Sequence, residues 1–284
     1  MRTLIVALAV VAAVGCSKAR TESISLTNKG IMAYERNDLP EAITLFNAAV
    51  QVYPKNEIAH LQLGMLHLHD RKDLVAAEKS LVMASKLAPR DPEAFFQLGR
   101  LALEKGEADV ALARFQEAMK VGPDNVGAFY WSGEILRQKG KFVEADEMFR
   151  EAIEIDPTYA RAFNALGLMY LNAGAESEAL DVFKEAVRIN PRDADSRQNL
   201  GLVYLGMGDI DAAQDSLTRS LELDPDSPTA AFNLANALIR KQRYKEASFY
   251  LRKFIVNPDV QTSDLIEPAK LVYQTIQLVM AEQQ

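Results

Sequence analysis

Three histidines are the first residues to test for chemistry, because imidazole both ligates metals and titrates near neutrality. They are His60, His67 and His69. A zinc-binding helix places two ligands at i and i+4 on one face and takes a third from elsewhere. Here His60 and His67 share a face at i and i+7, whereas His67 and His69, at i and i+2, point apart. His60 also stands where later stretches carry Phe95, Phe129 and Phe163, which suits it to packing. There is no glycine-rich phosphate loop and no GxSxG. Carboxylates are plentiful, but most fall on helix surfaces beside lysine or arginine, where charge is solvated. These residues argue against an enzyme, and no metal, cofactor or small-molecule substrate is expected. The excess of 39 acidic over 32 basic residues, a net charge of -7, also opposes nucleic-acid binding, which needs a basic face.

One residue remains with chemistry of its own, the single cysteine Cys16. It follows a short positive start, Met1-Arg2-Thr3, and an uncharged run from Leu4 to Val14. Such a run is too short to span a bilayer but suits a signal-peptide core. The run ends in Ala13-Val14-Gly15-Cys16, and small residues immediately before a cysteine resemble a bacterial lipobox, although Ala13 stands where that motif usually has leucine. The resemblance implies cleavage after residue 15 and a lipidated Cys16 at the mature N-terminus, with a diacylglycerol on sulfur and an acyl chain such as palmitate on nitrogen. Several acyl chains, at about 0.8 kcal/mol per buried CH₂, hold a protein where one would be reversible. Ser17, rather than Asp, after the cysteine is by the same resemblance compatible with the outer membrane. Residues 16–23 are then expected to form a short, polar, lipidated tether ahead of the first repeat.

The elements that would position a binding surface follow a ruler. Gly99, Gly133, Gly167 and Gly201 fall 34 residues apart. Ala111, Ala145, Ala179 and Ala213 follow each of them by twelve. Phe115, Phe149, Phe183 and Leu217 come next, and Pro123, Pro157, Pro191 and Pro225 close the units. The ruler reaches back to Gly64 and Gly30, and forward to Ala235 and Pro258 in a degenerate last unit. In the second unit Gly64 and Ala77 are thirteen apart, and the extra residue is assigned to the turn Asp70-Arg71-Lys72-Asp73. Within the fifth unit, Phe163, Leu166, Gly167 and Tyr170 share one helical face. Asn172-Ala173-Gly174 breaks that helix, and Leu180, Phe183, Ala186 and Val187 form the face of a second. Asp91-Pro92 reads as an N-cap with proline in the first helical position.

This grammar resembles the tetratricopeptide repeat, TPR, whose helix pairs each bury their apolar faces on neighbouring units. The implied fold is all-α: a superhelical TPR solenoid of about seven helix-turn-helix repeats over residues 24–260, closed by a capping helix over 261–284. The stripe expected to dock that last helix is Leu265, Ala269, Val272, Tyr273, Ile276 and Val279 or Met280.

In TPR proteins the first helix of each pair lines an inner, concave groove. The resemblance therefore assigns partner-binding positions to Tyr34, Met65, Phe96, Arg100, Tyr130, Trp131, Arg137, Asn164, Leu168, Gln198, Asn199, Phe232, Asn233 and Asn236. Leu171, Leu202 and Arg240 lie on the same helical faces. The lysines of the TPR clamp for C-terminal carboxylates are missing. What remains is an apolar, aromatic groove with amides, suited to an extended or helical protein segment. Trp131, the one tryptophan, is the leading hot-spot candidate.

A lipobox followed by a TPR array resembles the outer-membrane TPR lipoproteins, in particular the type IV pilus biogenesis lipoproteins, or secretin pilotins. That resemblance implies a periplasm-facing scaffold that binds a secretin subunit and helps it reach and assemble in the outer membrane. The competing implication is an envelope adaptor that recruits peptidoglycan hydrolases or other envelope proteins.

Overall fold

The computed structural model describes residues 18–260 and 264–282, so Cys16 and the stretch assigned to the signal peptide lie outside the described residues. Among the described residues the chain is all-α, with fifteen α-helices and no strand. The first three pairs are α1 (Lys18–Glu35) with α2 (Leu39–Val52), α3 (Glu57–Leu66) with α4 (Leu74–Leu87), and α5 (Pro92–Glu104) with α6 (Ala108–Val121). Next come α7 (Val126–Gln138) with α8 (Phe142–Ile155), and α9 (Ala160–Asn172) with α10 (Glu176–Ile189). The last pairs are α11 (Ala194–Met207) with α12 (Ile210–Leu223) and α13 (Pro228–Arg240) with α14 (Tyr244–Val256), followed by α15 (Ile266–Glu282). The chain divides into two compact units, unit 1 from Met1 to Ala128 and unit 2 from Phe129 to Gln284.

Local chemistry fixes where helices begin. Asp91 accepts a hydrogen bond from the Glu93 amide at 3.0 Å, with Pro92 opening α5 as its sequence suggests. Asn56, Asp193 and Ser227 cap α3, α11 and α13, and Asp38, Asp73 and Asp209 cap α2, α4 and α12. Each cap satisfies an amide that helical geometry leaves unpaired, at about 1 kcal/mol.

First helices end on a left-handed residue that reverses the chain. Gly106, Gly140, Gly174 and Gly208 hold φ between 72° and 81°, and the same turn is made by Asn37, Lys72 and Gln242 at 63°, 54° and 60°. A left-handed conformation costs an L-residue with a side chain about 1–2 kcal/mol, which glycine avoids. Gln242→Gly is therefore expected to stabilise the chain by about 0.5–1 kcal/mol after glycine's own entropy is counted, seen as a higher urea midpoint at unchanged slope.

The glycine ruler marks where a second helix presses a side chain flat onto a first. A Cβ on Gly167 would lie 2.4 Å from Phe183, one on Gly99 2.5 Å from Phe115, and one on Gly30 2.6 Å from Phe46. Phe46, Phe115, Phe149 and Phe183 are all fully buried, each between alanines that are buried too. The repeat alphabet is thus a steric record of helix-on-helix contact.

Three expectations are corrected. Residues 18–23 are not a separate tether ahead of the first repeat but the opening turns of α1. Ser23 donates to the Ala49 carbonyl at 2.6 Å, and the Asn56 amide donates to both Ser23 and Thr27 at 2.8 and 2.9 Å, so buried polar bonds dock the first turns of this helix, before Gly30 and Ala33 pack against Phe46. The extra residue of the second repeat is taken up by a π-helical turn over His67–Arg71 that continues α3, before the left-handed Lys72. A π turn absorbs one residue while keeping the helix hydrogen-bonded, so less of the insertion falls in the loop. On α15 the buried residues are Ile266, Ala269 and Ile276, with Tyr273 and Met280 packed beside them, whereas Leu265 and Val272 are exposed. This face of α15 covers α14.

Candidate protein-binding face

In unit 2 the first helices α9, α11 and α13 run side by side, with α11 against both of the others. Their shared face opens into a cavity of about 500 Å³ lined by Leu171, Leu202, Leu205, Gly206, Asn233, Asn236, Ile239 and Arg240. That volume lies within the range of ligand sites, which combine apolar walls with a few placed polar groups. Leucine and isoleucine form the walls here, and two amides and a guanidinium supply the polarity. Arg240 is fixed in place because its Nη1 donates to the Leu205 carbonyl at 2.7 Å, one repeat away.

The amides on this face divide into two sets. Asn199, only 8% exposed, donates through Nδ2 to Asn164 Oδ1 at 3.3 Å, and Gln198 Oε1 accepts from the Ser227 hydroxyl at 3.0 Å. These bonds tie neighbouring repeats together. Asn233 is 7% exposed and lines the cavity with Asn236, and neither amide has a hydrogen-bond partner among the described residues. A carboxamide carries two donors and an acceptor with two lone pairs, so a nearly buried one without a partner can pair with a peptide backbone in both directions. The arrangement thus has the chemistry to pair with the main chain of a polypeptide segment, with the leucines around it for side chains.

Comparison with known proteins fits this geometry. Residues 78–257, more than half of the chain, match the TPR family described as Cilia and flagella-associated protein 70 C-terminal domain, and residues 27–92 match the tetratricopeptide repeat family. The chain belongs to this TPR family. The cilia and flagella of that description are those of the protein that named the domain. None of the curated protein sequences compared matches the chain. Among solved structures, the Pseudomonas aeruginosa PilF structure is 18% identical at a TM-score of 0.64 and covers 78% of this chain and 96% of its own. A TPR protein from Parabacteroides merdae is 17% identical at a TM-score of 0.63, covering 89% and 99%. YrrB, described as a TPR protein with an unusual peptide-binding site, is 23% identical at 0.53, covering 68% and 97%. At such identities the likeness is one of fold. A TPR fold serves as a scaffold for protein interaction.

The TPR register brings only some of the predicted positions together. Asn233 and Asn236 share the cavity, and the exposed Leu168 lies one turn before its Leu171. Phe96, Tyr130 and Phe232 are half-buried and committed to packing: their rings sit 5.7, 6.1 and 4.9 Å from Phe115, Phe149 and Phe254. Tyr130 also meets Trp131 and Tyr159 edge to face, at 5.2 and 5.6 Å, and its burial and the nearby Glu134 push the phenol pKa up. Trp131 is half-buried in this aromatic cluster and is not among the residues that line the cavity. Arg137 holds Glu134 at 2.9 Å, which raises its pKa, and it lines a different cavity. In unit 1, Tyr34 donates to Asp70 at 3.2 Å, and Met65 and Arg100 are half-buried. Two of the three histidines are hydrogen-bonded within the fold, His60 to the Pro54 carbonyl at 3.0 Å and His69 to Gln97 at 2.8 Å, whereas His67 Nδ1 is buried with no partner among the described residues.

Leu205, Gly206 and Ile239 complete the cavity without a sequence signal that marks them as functional. The one available hint was Gly206, a second glycine five residues after Gly201 that the 34-residue ruler does not call for.

Proposed function

We propose that this chain is a lipid-anchored, periplasm-facing TPR scaffold of the outer membrane that grips a protein segment on the first-helix face of unit 2. Its partner in this reading is a type IV pilus secretin subunit, whose assembly or outer-membrane localisation it assists. The observation that carries the binding role is the pair Asn233 and Asn236, cavity-lining amides without hydrogen-bond partners among the described residues. The anchoring role rests on the lipobox-like Ala13-Val14-Gly15-Cys16. The pilus setting rests on that anchor combined with a TPR array, and on the likeness in fold to PilF.

Deletion of the gene followed by a blot for secretin tests the partner. Heat-stable multimers are expected to give way to monomers, and unchanged multimers would remove the secretin from the proposal. Cys16→Ser tests the anchor separately: the folded protein is expected to leave the membrane fraction and to stop incorporating labelled palmitate. A variant that stays membrane-bound would overturn the lipid anchor.

A further inference from the structure

We infer that unit 2 carries a second docking surface, between α8, α9 and α10, for a lysine- or arginine-rich amphipathic helix of a partner protein. This surface is distinct from the amide-lined cavity and does not depend on the identity of that cavity's occupant.

The surface consists of two adjacent apolar hollows. One, of about 520 Å³, has Phe142, Val143, Met169, Tyr170 and Ala173 among its lining residues. The other, of about 430 Å³, includes Ile153, Phe163, Leu166, Val182 and again Tyr170. Phe142 and Val143 open α8 at 57% and 72% exposure, more than an apolar pair needs if it only closes a core. The corresponding pairs in the two repeats that follow are Glu176-Ser177 and Ile210-Asp211, so the repeat itself does not demand two apolar residues there.

Tyr170 is the wall common to both hollows and is held rigid. Its hydroxyl donates to Asp146 and accepts from Arg150 Nη2 at 2.6 Å, while Arg150 Nε reaches Asp146 at 2.7 Å. A wall locked in this way keeps the two hollows preformed, which limits the ordering cost of binding.

Charge selects the occupant. The two cations that line the hollows are already engaged, Arg137 by Glu134 and Arg150 by Asp146. Four lining carboxylates, Glu147, Glu154, Glu178 and Asp181, have no ion pair among the described residues. An apolar floor under a negative rim attracts a segment that offers apolar side chains between cations and repels an acidic one. Length also bears on the choice. From Phe142 to Ile153 is eleven residues of one helix, about 16 Å at 1.5 Å per residue. A small molecule does not fill both hollows, whereas a helix of three turns does, with one apolar side chain seated in each.

The test uses the purified full-length chain and a fluorescent fourteen-residue helical peptide with leucines along one face and lysines elsewhere. Two companion peptides replace every lysine by glutamate or every leucine by serine. Anisotropy titrations are expected to show the lysine–leucine peptide binding about tenfold or more tightly than either companion, with affinity falling as salt rises. The F142S/V143S pair is expected to weaken it about tenfold, and the E178Q/D181N pair to weaken it less and flatten the salt dependence. Asn233→Ala should change nothing in this assay. All four substituted side chains in the two pairs are at the surface, and unchanged thermal melts confirm the fold. Failure of the lysine–leucine peptide to bind overturns the inference. So does equal binding of the serine companion, which would mean charge alone, or full binding by F142S/V143S, which would place the peptide elsewhere.

Discussion

Phe183→Ala is expected to remove about 3–5 kcal/mol of stability, the largest single-residue effect forecast for the fold. Phe183 is fully buried against Gly167 of its own repeat and shares a cluster with Ala179, Leu200 and Val203 of its own and the next repeat. Deleting the ring leaves a cavity that helices on both sides hold open. The complementary change, Gly167→Ala, distinguishes close packing from simple hydrophobicity. Alanine is the better helix former by about 1 kcal/mol, so propensity alone predicts a gain. A Cβ there would lie 2.4 Å from the Phe183 ring, so strain of about 1–3 kcal/mol is expected to prevail and the variant to be less stable. The last repeat shows how to relieve it: Ala235 occupies the glycine place and Leu251 the phenylalanine place in one buried cluster. Adding Phe183→Leu to Gly167→Ala should therefore recover stability relative to Gly167→Ala alone. Urea unfolding of the three variants checks this, and a stabilised Gly167→Ala would show that the helices move apart freely.

The same contact explains why most of the fold could be read from the sequence. Stacking helices at this distance leaves one small residue per pair, one flat side chain above it and a stop after the second helix, so the 34-residue ruler is a direct imprint of geometry. What escaped was whatever does not repeat. The start of α1 has no apolar periodicity because Ser23, Thr27 and Asn56 dock it by hydrogen bonds. The second repeat's extra residue is written identically in sequence whether a loop or a π turn absorbs it. Phe96, Tyr130 and Phe232 were expected on the binding face because an aromatic beside a buried helical position can rotate either into the groove or onto the next helix, and here their rings meet Phe115, Phe149 and Phe254. Phe142 and Val143 were unremarkable as sequence, since apolar residues at a helix start look like core. Asn233 and Asn236 could be assigned to the right face, but nothing in the sequence says that Asn199 is paired and they are not.

That difference between paired and unpaired amides gives the second large expected effect. Replacing both Asn233 and Asn236 by alanine should weaken capture of the partner segment by about 2–4 kcal/mol, roughly 30- to 1,000-fold, because each removes main-chain hydrogen bonds made in a desolvated cavity. The fold should lose nothing comparable. Asn233 makes no hydrogen bond within the described protein and its amide atoms stay open to the cavity's water, so the fold does not rely on them, and Asn233→Ala is expected to leave stability unchanged. Asn199→Ala should behave in the opposite way. It deprives the half-buried Asn164 of a bond across repeats and leaves its Oδ1 with only the longer bond from Ser196, so stability falls by about 1 kcal/mol, and binding suffers only as far as the face loosens. Pull-down of the proposed partner, a secretin subunit, by the full chain, read beside urea unfolding of the same variants, separates the two cases. A chain that loses both amides, keeps its fold and captures the subunit as before would place recognition outside this cavity. If only Asn199→Ala impaired capture, rigidity of the face would be what the partner needs, not the amides that line it.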